Sequence, residues 1–259
     1  MANLHRVVLA ALLSALLGSQ ASNAKDATGV VLLHDKNSTP DTLSALSGGL
    51  AAAGFLVEAP EMCWSRGRIY DRSFAGCLLE VEDATKRLMA EGATRIVVGG
   101  EGLGALGAFA YAAIHPEVAG VIALAPSANP SSLASIPNIA WQVTAAQAAV
   151  TYGQGNTTVR FADQLGGKAI TVNATPKNYL DFLGPQSPIL ATKILPKLKM
   201  PLLWIRGAAE DPRSPASAAF KRAPANSLST ALKFDAVEAD LPAVSVTAVS
   251  RWLRLVGGE

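Results

Sequence analysis

The stretch Arg95-Ile96-Val97-Val98-Gly99-Gly100-Glu101-Gly102-Leu103-Gly104-Ala105 constrains the fold of this chain more than any other. A β-branched run passes directly into glycines, and the glycines into the apolar segment Leu103–Ile114, which has helical length. A strand, a tight turn and a helix in this order form the unit from which α/β folds are built. The same rhythm recurs along the chain. Residues 29–33, 55–58, 120–124, 201–206 and 231–236 read as strands, and 42–53, 73–90 and 243–255 as helices. In the segment 73–90, Phe74, Cys77, Leu78, Val81 and Leu88 share one face, while Glu82, Asp83, Lys86 and Arg87 face away. Strands separated by helices imply right-handed crossovers and a parallel sheet covered on both faces.

Half of the 259 residues are hydrophobic and 16% are charged, so apolar material suffices for a core. Residues 25–259 read as a single domain. Within it, residues 126–198 break the rhythm and read as an insertion over the carboxyl ends of the strands. The formal net charge is +2, and no basic field is available for nucleic acid.

Arg6 precedes an apolar run from Val7 to Leu17, and small residues follow, with Ser22 and Ala24 before Lys25. This is the pattern of a secretory signal over residues 1–24. The run is shorter than the ~20 residues a membrane span needs, so no stable anchor is expected after cleavage. The expected location is periplasmic or secreted. Cys63 and Cys77 are the only cysteines, and in an oxidising compartment an even count suggests a disulfide. Two buried free thiols are the alternative. A metal site is the poorest reading, because no histidine lies between or beside them.

The glycine-rich turn satisfies the dinucleotide pattern at Gly102, Gly104 and Gly107, but it follows the third strand, and the next strand ends without an acid. No cofactor is implied. The competing pattern is the nucleophile elbow G-x-S-x-G, in which Gly100 and Gly104 are the flanking glycines and Gly102 stands in place of serine. Around this frame lie Leu32-Leu33-His34, Ala59-Pro60-Glu61-Met62-Cys63-Trp64-Ser65-Arg66, Ile114-His115-Pro116-Glu117, residues 175–180 and Pro201-Leu202-Leu203-Trp204-Ile205. In these marks and their order the chain resembles a family of bacterial exported α/β hydrolases, dienelactone-hydrolase- and esterase-like.

The resemblance implies an α/β-hydrolase fold, a mostly parallel sheet with helices on both faces. Carried over residue by residue, the family's nucleophile falls on Gly102 and its acid on Asp211, with Glu210 as the neighbouring choice. Its histidine falls on Glu238, four residues before Pro242. The glycine of the oxyanion loop has become Asp35, next to His34. Without a nucleophile no acyl-enzyme forms, and without histidine no group shuttles the proton. Ser127 and Ser65 are on no elbow, and His115 reads as a helix cap.

What remains is a pocket expected from His34, Asp35, Glu61, Trp64, Arg66, Glu101, Gly102 and Leu103, with an Arg66–carboxylate pair as its bland version. The sequence thus reads as a non-catalytic protein that binds a small molecule or a partner protein. The alternative is a hydrolase of small esters working by rearranged chemistry, with water activated at Glu238 or Glu101. The signal pattern predicts that the exported protein begins at Lys25. Intact-mass measurement checks this, and a retained Met1 in the exported fraction refutes it.

Overall fold

Val30 and Leu32 point to one face of strand β1 (Ala27–Leu33) and Val31 and Leu33 to the other, and all four are fully buried. A strand buried on both sides needs cover on both sides. The computed structural model describes residues 27–126, 133–209 and 219–258, and its elements supply that cover. The segment 1–24, expected from its sequence to be a secretory signal, lies outside the described residues.

After β1 come β2 (Leu56–Glu58), β3 (Ala93–Glu101), β4 (Gly120–Leu124), β5 (Val159–Leu165), β6 (Lys168–Ala174), β7 (Leu202–Arg206) and β8 (Thr230–Lys233). Six of these form one parallel sheet of order β2-β1-β3-β4-β7-β8. Helix α1 (Ser44–Ala52) lays Leu46 and Leu50 on the Val30/Leu32 face. Helix α2 (Phe74–Ala90) covers the opposite face with Phe74, Cys77, Val81, Ala84 and Leu88, one apolar stripe at helical spacing. The Ser73 hydroxyl caps α2 by accepting from the Gly76 N–H at 3.1 Å. Helix α3 (Leu103–Ile114) packs beside α2 and is buried along almost its whole length.

Some boundaries differ from the sequence expectation. The expected helix at 42–53 opens as a 3-10 turn, Pro40–Leu43, with proline in its first turn. The last strand leaves the ladder at Lys233. Beyond it the Phe234 N–H to Arg206 and the Ala208 N–H to Ala236 bonds, 3.0 and 2.9 Å, keep the chains adjacent without regular pairing.

Between β4 and β7 the chain forms α4 (Pro137–Thr151), the antiparallel β5–β6 hairpin, α5 (Pro176–Leu183) and α6 (Ala191–Ile194). Ile139, Phe161, Val172 and Tyr179 from this segment belong to the same core as Val98 and Phe109. The hairpin turns through Gly166 and Gly167 at φ 53° and 79°, left-handed values that a two-residue turn requires. The sequence reading caught only its apolar run at 169–172. The obstacle is Asp163, an acid at an inward position of β5, buried to 1% exposure. It is neutralised from the loop after β1. Lys36 Nζ lies 2.9 Å from its Oδ1, and the Tyr70 hydroxyl donates to its Oδ2 at 2.8 Å.

The terminal helix forms as two pieces, α7 (Leu241–Val244), with Pro242 in its first turn, and α8 (Val246–Gly257). Val249, Trp252 and Leu253 of α8 pack on the α1 side of the sheet. Cys63 and Cys77 form a disulfide with Cα atoms 5.5 Å apart, tying the loop after β2 to the first turn of α2. It closes a loop of sequence separation 14. The double change Cys63→Ser with Cys77→Ser should therefore lower stability by about 3 kcal/mol, read as a lower denaturant midpoint. Reducing agent should shift the wild type equally, and no shift in either case would disprove the contribution.

Candidate functional site

Strand β1 sits between β2 and β3, and the chain leaves β1 towards β2 but leaves β3 towards β4. Such a reversal opens a crevice at the carboxyl ends of the two strands, because their following loops diverge. Leu33 is in register with Gly100, so His34-Asp35 and Glu101-Gly102 leave the sheet side by side.

Gly102 makes the turn from β3 into α3 at φ 55°, ψ −116°, a conformation that side-chain-bearing residues rarely adopt. Its N–H donates to the Leu124 carbonyl at 3.0 Å. The flanking glycines are required by close packing. A Cβ on Gly100 would come within 2.6 Å of the Leu33 carbonyl oxygen, and one on Gly104 would collide with the same carbonyl. A Cβ on Gly102 would fall onto the carboxylate of Asp35. That carboxylate takes the first free N–H of α3, from Leu103 to Oδ1 at 2.6 Å. The helix N-terminus favours the negative charge. Burial pushes the Asp35 carboxyl above its ordinary range, while the N–H groups of Leu103 and Lys36 pull it back.

His34 is fully buried under this turn. Its Nε2 accepts from the Met62 N–H at 3.0 Å, so that nitrogen carries no proton, and its Nδ1 donates to the Asp35 carbonyl at 2.8 Å. One tautomer is selected and the ring is neutral, in keeping with burial that lowers its pKa. Both ring nitrogens are committed to backbone, so His34 positions the loop that carries Asp35.

Glu101 is only 8% exposed and sits at the end of β3. Burial, then the nearby charges of Asp35 and Glu238, push its carboxyl up to about 8. It lines a cavity of about 460 Å³ with Asp35, Lys36, Asn37, Ser38, Thr42, Leu165, Glu238 and Ala239. The Lys36 ammonium is engaged by Asp163 and by the Gln164 carbonyl at 2.6 Å, so its charge offsets that of Asp35 only in part. Glu238 stands exposed on the rim, at the start of the short 3-10 turn before α7.

Three residues expected in this pocket lie elsewhere. Trp64 is fully buried, stacked against Phe74 at 6.2 Å, with Nε1 donating to the His34 carbonyl at 2.8 Å. It is a core residue that packs the loop from below. Glu61 is exposed and accepts from the Ser65 hydroxyl at 2.7 Å. Arg66 is exposed in a separate groove with Asn37, Ile69 and residues of β6. The arginine that pairs with carboxylates is Arg68, bonded to Asp71 and Glu80. The distinction follows from the turn at 65–69, which turns Arg66 outwards and brings Arg68 back over α2, a reversal invisible in residue type. His115 caps α3, donating its N–H to the Tyr111 carbonyl, and its Nδ1 lies 2.9 Å from Glu117. Glu210, Asp211 and Ser127 lie outside the described residues. The sequence reading missed Lys36, Thr42 and Leu165 as lining residues. Only the docking of the hairpin on the β1 loop brings Leu165 there.

No protein-family model matches the chain, and no curated protein matches it. Among solved structures, it resembles one from work on LipS and LipT, metagenome-derived lipolytic enzymes. That match has a TM-score of 0.61, 16% identity, and covers 91% of this chain and 95% of the other. It also resembles the monoacylglycerol lipase of Paleococcus ferrophilus, with a TM-score of 0.62 and 18% identity over 88% and 94% of the two chains. Est1E from Butyrivibrio proteoclasticus matches with a TM-score of 0.59 and 14% identity over 92% of each. The chain has the α/β-hydrolase fold. Gly102 stands at the turn from β3 into α3, Asp35 in the loop after β1, and Glu238 just before the terminal helices.

In the unfolded chain Glu101 ionises near its ordinary value of 4.5, and in the folded protein near 8. Between those values the folded state holds a proton that the unfolded state has released, so this group's contribution to stability falls as pH rises through the window. Glu101→Gln should raise the melting temperature at pH 9 by about 3 °C or more and leave it unchanged at pH 4. Equal effects at both pH values would rule out the buried acid as the cause.

Proposed function

We propose that this is an exported, non-catalytic protein of α/β-hydrolase fold that binds a small molecule above the elbow. The observation that carries the reading is the overlap at Gly102. The space a nucleophile's side chain needs is filled by the Asp35 carboxylate, which also takes the Leu103 N–H. In an acyl transfer that N–H is a donor to the oxyanion. A carboxylate bonded to it blocks the donor and opposes the negative charge that would develop beside it. Glycine has nothing to attack with, and Glu238 in the place of a histidine cannot shuttle a proton from an absent hydroxyl. The named neighbours include lipolytic enzymes and a monoacylglycerol lipase, and the residues at these positions of this chain cannot support the acyl transfer of a serine hydrolase. Export is supported by the signal pattern and by the disulfide, which suits an oxidising compartment. Among the described residues, no helix is long and apolar enough to cross a membrane.

Hydrolysis by rearranged chemistry would need a base to activate water. Glu101, ionising near 8, could serve as that base only in its ionised form, so esterolysis that appears as pH rises towards 8 would favour this second reading.

Two measurements test the proposal. The wild type should show no reaction with a fluorophosphonate probe and no hydrolysis of activated short-chain esters above a denatured control. Labelling would mean another nucleophile serves, and the reading would be withdrawn. Gly102→Ser should destabilise by about 2 kcal/mol or more through overpacking against Asp35. Adding Asp35→Gly should recover at least about half of that loss, the non-additivity expected of touching residues. Additive effects would mean that Asp35 does not fill the nucleophile's space.

A further inference from the structure

The cavity above the elbow holds Glu101, which is nine-tenths buried, lines the cavity and has no hydrogen-bond partner among the described residues. Asp35 and Glu238 lie close enough to add their charge to it. The other charged lining residue is Lys36, whose ammonium is bonded to Asp163 and the Gln164 carbonyl. His34 beneath the loop is neutral, because Nε2 accepts the Met62 N–H. A largely buried carboxyl with no partner avoids the desolvation cost of its charge by keeping its proton, and a counter-ion in the cavity would stabilise the ionised form instead. Among the described residues, no three His, Cys, Asp or Glu side chains converge closely enough to hold a metal ion. A flat polyatomic cation does not need such a ligand set, because it carries its charge and N–H donors in several directions. The cavity, about 460 Å³, admits a molecule of that kind, and Leu165 supplies an apolar wall.

We propose that this cavity is the binding site for a small organic cation with N–H donors, an amidinium or guanidinium, held by Glu101 and Asp35. The proposal rests on the non-catalytic reading, since a cation seated there would occupy the region above an elbow without a nucleophile. Binding displaces the proton of Glu101, so affinity rises with pH.

The test is calorimetric titration of the intact, disulfide-bonded protein at low salt with benzamidine, cationic throughout the range used, and with benzamide, its neutral near-isostere. Benzamidine should bind at least about ten-fold more tightly at pH 9 than at pH 6, with about ninety-fold the limit if only the ionised Glu101 carboxyl accepts the cation. Benzamide should not bind. Glu101→Gln should abolish the ten-fold rise. Asp35→Asn, which keeps an acceptor for the Leu103 N–H, should weaken binding at pH 9 by about five-fold or more. Absence of benzamidine binding at pH 9, equal binding of benzamide, or a pH rise that survives in Glu101→Gln overturns the proposal. The two claims fail separately. A wild type silent to fluorophosphonate that binds no benzamidine loses the cation site and keeps the non-catalytic reading. Fluorophosphonate labelling removes that reading whatever benzamidine does.

Discussion

The hydrogen bond from the Leu103 N–H to the Asp35 carboxylate joins the ends of the two central strands. It closes over the one residue in the turn that has no side chain. The first turn of any helix leaves N–H groups without intrahelical partners, and a carboxylate is the strongest side-chain acceptor for them. At this position the acceptor comes from a neighbouring loop, so the same bond caps α3 and holds the loop after β1. It also couples Gly102 to Asp35. A larger residue at one position requires a smaller one at the other.

That bond is supported from beneath and from outside. His34 commits both ring nitrogens to backbone, the Trp64 indole N–H holds the His34 carbonyl, and the Cys63–Cys77 disulfide anchors the loop that carries Trp64. From outside, the β5–β6 hairpin places Asp163 against Lys36 and Tyr70. The second contact has an electrostatic consequence. It engages the Lys36 ammonium, the positively charged group that lines the cavity among the described residues, away from Asp35 and Glu101.

Much of this was legible in residue order. The strand–glycine–helix unit at 95–114, the parallel rhythm, the amphipathic stripe of α2 and the pairing of Cys63 with Cys77 all rest on local pattern, and local pattern survives folding where packing agrees with it. The hairpin escaped because Asp163 interrupts the alternation of β5. A buried acid is readable only once its partners, 127 residues away at Lys36 and 93 away at Tyr70, are known. Glu61, Trp64 and Arg66 were grouped with the pocket because they share a loop with residues near it. A loop has no fixed facing direction, and here the turn buries the tryptophan and exposes both charged neighbours.

The sequence by itself determined the order of the elements outside residues 126–198, the glycine turn and the residue types at that turn. Backbone sterics and hydrophobic periodicity act over a few residues and need no distant partner. The tertiary structure alone decided that Asp35 lies over Gly102, that Lys36 faces Asp163, and that Glu101 is shut into a cavity with other acids. Each of these depends on two segments arriving at the same point, and burial then sets the charge that a carboxyl there can carry.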